Sequence, residues 1–134
     1  MSTRMKWLLI DDDSDDQEIF LFTLGKMDKP IDCLLAKDGV DALEKLKSEI
    51  ITPDIIILDL NMPFMDGRKC LIEIKKIERL RKIPVYIYST SSESKLKEEL
   101  KELGAADYIE KPSSITLLNE ILMDLYQKNE KAGE

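Results

Sequence analysis

Apolar residues in this chain occur in five short runs, each followed by a polar turn and then by an amphipathic stretch. The runs cover residues 6–10, 31–36, 54–58, 85–88 and 108–109. Short apolar runs that are bounded by Pro, Gly and Asp are typical of buried β-strands. The stretches between them carry apolar residues three or four positions apart, which is typical of helices that pack through one face. The pattern therefore predicts five strands that alternate with five helices.

Five such alternations predict an α/β fold, a doubly wound five-stranded parallel sheet with helices on both faces. Predicted helices cover about 15–26, 40–48 and 92–103; a third helix starts at Asp66 or Gly67, and the last follows Ser113 or Ser114 and runs to about 128. Their predicted inward-facing residues are Phe20, Leu24, Met27, Val40, Leu43, Leu46, Leu71, Ile74, Ile77, Leu96, Leu100, Leu103, Ile115, Leu118, Leu122 and Leu125.

The first helix carries the clearest start signal in the sequence. Ser14, with Gln17 three residues later, fits a capping box in which Ser14 is the N-cap. Asp15 and Asp16 complement the positive end of the helix dipole. We expect Gly25 and the turn after it to end this helix.

The length and composition limit the class of protein. With 134 residues, the chain fits a single domain over 1–134, with its core at about 6–128 and a short frayed tail. A net charge of −7 argues against a general nucleic-acid binder. No apolar run is long enough to span a bilayer, and the N-terminus lacks the cleavage pattern of a signal peptide. We therefore expect a cytoplasmic protein that does not insert into membranes.

The residues that are absent also limit the chemistry. The chain has no histidine, which excludes a Ser-His-Asp mechanism, a His-ligated metal and a phosphohistidine carried by this chain. Cys33 and Cys70 lack a metal-ligand spacing, and we expect them to be small buried hydrophobes with reduced thiols. Any chemistry must come from carboxylates, hydroxyls, lysine or arginine.

Polar side chains follow four of the five predicted strands. Asp11 and Asp12 follow the first strand, Asp59 the third, Ser89 the fourth and Lys111 the fifth. The C-terminal ends of parallel strands share one edge of the sheet, so we expect these groups to converge there. Clustered carboxylates without His or Cys favour a hard ion such as Mg²⁺. The set suits transfer of a phosphoryl group to a carboxylate at Asp59, with an amine and a hydroxyl to stabilise the charge.

With these motifs the chain resembles the receiver domain of two-component response regulators, in particular the single-domain kind related to CheY. The resemblance covers about residues 6–128. The motifs that carry it are Leu-Leu-Ile-Asp11-Asp12, Ile-Leu-Asp59-Leu-Asn-Met-Pro63 with Asp66-Gly67, Ser89-Thr90-Ser91, and Asp107-Tyr108-Ile109-Glu110-Lys111-Pro112.

The resemblance implies a role for each acidic residue of the pocket. Asp59 matches the phosphoacceptor. Asp12 and Asp59 match the side chains that bind Mg²⁺, and Asn61 matches the residue that offers its backbone carbonyl. Asp11 matches the acid that acts through a metal-bound water. Because Asp13 follows directly, the family's pair of acids could also be matched one residue later in the sequence. The first two aspartates directly follow the apolar run and are preferred, and we expect Asp13 to face solvent.

The resemblance also implies roles for the remaining strand ends. Lys111 matches the lysine that contacts the phosphoryl group, and its bond to Pro112 is expected to be cis. Ser89 matches the switch hydroxyl, which Thr90 could also supply; Ser89 is preferred as the first residue after the strand. Tyr108 matches the aromatic residue that swings inward with the switch, although an ordinary strand aromatic would look the same.

The resemblance predicts a receiver that takes a phosphoryl group from a sensor histidine kinase or a phosphotransfer protein, with slow loss of its own phosphate and no other enzymatic activity. We expect the readout through the fourth helix, fifth strand and fifth helix, by contact with a downstream protein or by onward phosphotransfer, without an output domain. The same face offers a possible homodimer.

One alternative is a phosphohydrolase of the haloacid dehalogenase type, which also uses an Asp nucleophile after a strand. Such enzymes have an Asp-x-Asp pattern, whereas Asn61 occupies the position of the second Asp here and cannot act as that acid. The other is a receiver-like binding module that is never phosphorylated.

Overall fold

The computed structural model describes residues 4–48, 51–62, 65–91 and 93–130. Its strands are β1 (Met5–Ile10), β2 (Ile31–Ala36), β3 (Ile55–Leu58), β4 (Val85–Ser89) and β5 (Asp107–Glu110). Its helices are α1 (Ser14–Met27), α2 (Gly39–Lys47), α3 (Gly67–Lys76), α4 (Ser94–Glu102) and α5 (Ile115–Asn129), with a short 3₁₀ helix at Glu78–Leu80. Pro63, Ser92 at the predicted start of the fourth helix, and the tail at 131–134 lie outside the described residues.

The five strands form one parallel sheet in the order β2-β1-β3-β4-β5. Because β1 and β3 lie at its centre, their apolar residues are covered on both faces and are fully buried from Trp7 to Ile10 and along the whole of β3. The sheet confirms the predicted doubly wound architecture and places the C-terminal ends of all five strands at one edge.

Alternate residues of the central strands serve two separate cores, as the pleat of a strand requires. Leu8 and Ile56 pack in a cluster with residues of α2, α3 and α4. Trp7 and Ile57 pack on the opposite face with residues of α1 and α5. Three helices, α2, α3 and α4, therefore cover one face of the sheet, and α1 and α5 cover the other. None of the helices in the described ranges is long and apolar enough to cross a bilayer.

Two of the predicted inward-facing positions differ in the structure. Val40 and Ile115 have exposed fractions of 42% and 50%. Each lies within the first two residues of its helix, where the helix has just left the loop and has not yet reached the sheet. Ile77, which follows the end of α3, is partly buried and packs against the core as predicted, as do Leu96 and Leu103.

The predicted capping box at the start of α1 is wrong by one residue. Asp13 is the N-cap, and its Oδ1 accepts hydrogen bonds from two backbone N–H groups of the first turn, at 2.9 and 3.2 Å. Ser14 is the first helical residue. Gln17 Nε2 donates to the backbone oxygen of Asp11 at 2.6 Å instead of reaching back to the cap. Asp13 is exposed, as expected, but it also fixes the direction in which α1 leaves the strand end.

The end of α1 differs from the prediction at Gly25, whereas the turn predicted after it does end the helix. Gly25 lies inside the helix, which continues to Met27 and ends at Asp28 in the left-handed conformation, with φ of 54°. An Asp tolerates this conformation because its short polar side chain can form a local hydrogen bond.

Of the two free cysteines, Cys70 is fully buried and Cys33 is half-buried, and burial raises the pKa of both thiols to about 12.

Candidate functional site

The C-terminal edge of the sheet brings the predicted polar residues together on backbone that is hydrogen-bonded on each side. The backbone N–H of Asp59 donates to the oxygen of Ile10 at 2.9 Å, and that of Lys111 donates to the oxygen of Ser89 at 2.7 Å. These bonds continue the strand ladders by one residue. The side chains at the strand ends are therefore held by the sheet itself and not by a loose loop.

Three carboxylates form the centre of this site. Asp11 is fully buried, Asp59 is 5% exposed and Asp12 is exposed. One carboxylate oxygen of each lies within 4.8 Å of the others. Burial raises the pKa of Asp59 to about 6; Lys111 opposes this effect, and the charges of Asp11 and Asp12 add to it. Burial also raises the pKa of Asp11. The cluster is an unfavourable concentration of negative charge that a cation would relieve.

Lys111 is the cation that the structure places against these acids. Its side chain is 13% exposed, and its Nζ lies 3.3 Å from Asp11 Oδ2 and 3.6 Å from Asp59 Oδ1. The shortest contact of Nζ, 2.7 Å, is to Asp16 Oδ2 on α1. Burial alone would lower the pKa of Lys111, but the three carboxylates outweigh burial and raise it above its usual value. Lys111 therefore carries its positive charge at neutral pH.

Asp16 is the residue of this site that the sequence did not reveal. In the pattern of the chain it serves as one of two acids that complement the dipole of α1. The contact depends on the angle at which α1 leaves β1, which brings its first turn over the end of β5. The available signal was that Asp16 lies only four residues after Asp12, close enough in the chain to share its surroundings.

The hydroxyl cluster after β4 has one buried and one exposed member. Ser89 is fully buried, whereas Thr90 is exposed. Ser89 is the last residue of β4, which extends one residue further than predicted. Ser89 Oγ accepts a hydrogen bond from the backbone N–H of Ser91 at 3.3 Å. Tyr108 donates its hydroxyl hydrogen to the backbone oxygen of Ser91 at 2.7 Å. Ser91 therefore links the predicted switch hydroxyl to the predicted switch aromatic.

Three further features lie beside Asp59 and Lys111. Asn61, two residues after Asp59, has an exposed side chain. Gly67 packs so closely on this segment that an added Cβ would overlap the backbone oxygen of Asp59 and lie 2.7 Å from the Leu60 Cα. The bond from Lys111 to Pro112 is trans, because the described residues contain no cis peptide bond, so the expected cis bond is wrong for this chain.

The donor set of the cluster fits a hard divalent cation. Three carboxylates offer one oxygen each at mutual distances below 4.8 Å, and Mg²⁺ is bound in proteins by a few carboxylates together with waters. Because burial raises the pKa of two of these acids, a cation would gain more here than at an exposed acidic patch.

Comparison with known proteins identifies the family. The response regulator receiver domain matches residues 7–123 of the chain. The chain belongs to this family. The receiver superimposes on the phosphorylated cyanobacterial phytochrome response regulator RcpA with a TM-score of 0.85, at 29% identity and with 93% of each chain covered. It superimposes on the Mn²⁺-bound form of response regulator Rcp1 with a TM-score of 0.82, at 26% identity and with 92% of each chain covered.

Among curated proteins, the receiver is 34% identical over 129 residues to a protein-glutamate methylesterase/protein-glutamine glutaminase of Halalkalibacterium halodurans. That match covers 93% of this chain and 36% of the relative. The receiver spans 6% of the length of a hybrid signal transduction histidine kinase of Dictyostelium discoideum and 36% of the length of the methylesterase. The comparisons confirm the family resemblance and a place in two-component signalling, in which receivers interact with histidine kinases or phosphotransfer proteins and with downstream targets.

Proposed function

We propose that this receiver accepts a phosphoryl group on Asp59 and that Mg²⁺ is required. The observation that supports Asp59 best is its combination of near-complete burial, a raised pKa and a lysine ammonium at 3.6 Å. Asp11 is more deeply buried, but both of its oxygens are engaged, by the backbone N–H of Asp13 at 3.0 Å and by Lys111 at 3.3 Å. Asp59 is thus the better nucleophile of the two.

In the proposed reaction, a carboxylate oxygen of Asp59 forms a bond to the phosphorus of a phosphohistidine on a kinase or a phosphotransfer protein. The bond from phosphorus to the imidazole nitrogen breaks, and that nitrogen keeps the electron pair and takes up a proton. Lys111 stabilises the charge on the phosphoryl oxygens, and Ser89 donates a hydrogen bond to one of them.

The metal site would be formed by Asp11, Asp12 and Asp59, with the backbone carbonyl of Asn61 as a further ligand. Bound Mg²⁺ neutralises the charge that the acceptor and the phosphoryl group bring together. The protein's own contribution is to keep the three carboxylates close although they repel one another, and the hydrogen-bonded strand ends supply that rigidity.

Phosphorylation would reach the surface through Ser91. A movement of Ser89 toward the phosphoryl group breaks the bond that Ser89 Oγ accepts from the Ser91 N–H. The same Ser91 accepts the Tyr108 hydroxyl through its carbonyl oxygen, so the two switch residues are two hydrogen bonds apart. Tyr108 also lies under Lys97 of α4, with Nζ 5.4 Å from the ring centroid. Phosphorylation therefore shifts an equilibrium in which α4 and β5 move together.

The proposed readout surface consists of α4, β5 and α5. A groove of about 450 Å³ lies between β5 and α5, and its apolar wall includes Ile109, Leu117, Ile121 and Leu125. Acidic side chains at its rim, among them Glu120, favour a partner with basic residues around an apolar centre. This face would bind a downstream protein, or a second copy of the receiver, while the receiver itself turns over no other substrate.

Acetyl phosphate tests the proposal without knowledge of the kinase. With Mg²⁺, the wild-type protein should gain one phosphoryl group by intact mass spectrometry, and Asp59→Asn should gain none. The matched control is Asp66→Asn, which makes the same chemical change at the N-cap of α3, where Asn caps as well as Asp. Full labelling of Asp59→Asn would contradict the assignment. Rapid turnover of a phosphate ester would favour a phosphohydrolase, and no labelling of the wild type would favour a module that is never phosphorylated.

A further inference from the structure

Lys111 divides its charge among three carboxylates, and the one outside the strand ends is the closest. Its Nζ lies 2.7 Å from Asp16, 3.3 Å from Asp11 and 3.6 Å from Asp59. The contacts to Asp16 and Asp11 are hydrogen bonds, whereas the contact to Asp59 is an ion pair only. In this structure the lysine is therefore bound more closely to the first turn of α1 than to the acceptor.

We propose that Asp16 competes with the phosphoryl group on Asp59 for Lys111 and so tunes the site as a positioning residue. This inference rests on the proposed function of Asp59. An ammonium has three N–H donors, and Asp16 and Asp11 occupy two of them. The carboxylate of Asp16 also offsets positive charge that Lys111 would otherwise offer to an anion on Asp59.

The pair has properties that an ordinary surface ion pair lacks. The Asp16 side chain is 37% exposed, but that of Lys111 is only 13% exposed. Isolated exposed pairs contribute little because water screens both charges. Here the Lys111 side chain is mostly shielded from water, and its ammonium also lies against the two buried carboxylates of Asp11 and Asp59. Removal of Asp16 should therefore alter how strongly Lys111 interacts with Asp11 and Asp59.

Asp16→Asn should change the affinities for a cation and for an anion in opposite directions. Without Asp16, Lys111 interacts more strongly with Asp11 and Asp59, so Mg²⁺ should bind more weakly. At saturating Mg²⁺, trifluoroberyllate, a phosphoryl mimic, should bind more tightly because Lys111 is free to contact it. We expect each dissociation constant to change about three- to tenfold. A change of this size lies between the contribution of an exposed ion pair and that of a buried hydrogen bond to a charged group. A merely structural defect would weaken both ligands.

Isothermal titration calorimetry on the full chain can distinguish an effect of the contact between Asp16 and Lys111 from a general effect of losing one negative charge. Asp15→Asn removes the same charge one residue earlier, from an exposed side chain, and should change either constant less than twofold. Asp16→Glu should restore values near wild type, since it keeps a carboxylate within reach. In a Lys111→Met background, Asp16→Asn should change Mg²⁺ affinity no more than Asp15→Asn does.

The possible results separate the inference from the function on which it rests. If Asp16→Asn matches Asp15→Asn, or if its effect persists in the Lys111→Met background, Asp16 does not act through Lys111 and the inference is wrong, whereas the role of Asp59 is unaffected. If the wild type binds neither Mg²⁺ nor trifluoroberyllate, the proposed function itself is wrong, and the inference is wrong with it.

Discussion

Replacement of Asp59 by Asn should make the protein more stable at neutral pH although it removes the proposed acceptor. Asp59 is 5% exposed and lies beside two other carboxylates. Its charge is therefore poorly hydrated and is repelled by its neighbours, and Lys111 compensates only in part. Asn has nearly the same shape but no charge, so the substitution removes this penalty while it preserves the packing.

The size and the pH dependence of this effect follow from the pKa of Asp59. That pKa rises from an ordinary 3.8 to about 6 in the folded protein, which corresponds to roughly 3 kcal/mol. Below pH 3.8 both folded and unfolded chains hold the proton, and there is no penalty. Between pH 3.8 and 6 only the folded protein keeps it, so stability falls as pH rises. Above pH 6 the penalty is complete.

Urea unfolding followed by circular dichroism measures the difference directly. At pH 7 with EDTA, we expect Asp59→Asn to exceed the wild type by roughly 3 kcal/mol, and we expect the gap to shrink at pH 4.5. Saturating Mg²⁺ should narrow the gap as well, because the cation stabilises the wild type more than the variant. Asp124→Asn is the control for loss of a charge, since Asp124 is exposed on α5 and forms an ion pair with the exposed Lys128.

Two results would refute this reasoning. If Asp59→Asn is no more stable than Asp124→Asn at pH 7 in EDTA, the folded protein hydrates Asp59 better than its burial implies. If the gap is the same at pH 4.5 and at pH 7, it arises from packing or from the unfolded chain, and protonation of Asp59 does not contribute.

Three further substitutions test the framework of the site. Gly67→Ala should destabilise the protein by more than about 2 kcal/mol in urea unfolding, because its Cβ would overlap the Asp59 backbone. Gly25→Ala, in open space within α1, should instead stabilise by about 0.5–1 kcal/mol, and a loss there would show that the helix is distorted. Tyr108→Phe should cost about 1 kcal/mol by losing its bond to Ser91. It should leave acetyl phosphate labelling intact, and loss of labelling would place Tyr108 in the chemistry.

Most of the fold could be predicted because apolar residues in this chain repeat with simple periods. The run at Ile55–Leu58 is continuous because β3 is buried on both faces, and the structure begins and ends it within one residue of the prediction. Both predicted inward-facing residues that are exposed lie at helix starts. Val40 and Ile115 fit the helical period yet are exposed, because the period gives the face of a helix but not the point at which that face meets the sheet.

The convergence of the strand ends could also be predicted, because parallel topology alone sends Asp11, Asp59, Ser89 and Lys111 to one edge. The topology does not determine which partners each of these side chains contacts. The burial of Ser89 beside an exposed Thr90 depends on how far β4 extends. The N-cap at Asp13 instead of Ser14 depends on the path of the backbone between β1 and α1.

The sequence by itself determined the order of the elements, the edge at which the polar groups meet and the family to which the chain belongs, because these depend on local period and on motifs close in the chain. Only the tertiary structure decided that Lys111 is shared with Asp16, 95 positions away in the chain. That contact depends on the angle between α1 and the sheet, which the packing of α1 with α5 on one face of the sheet fixes and which no local pattern records.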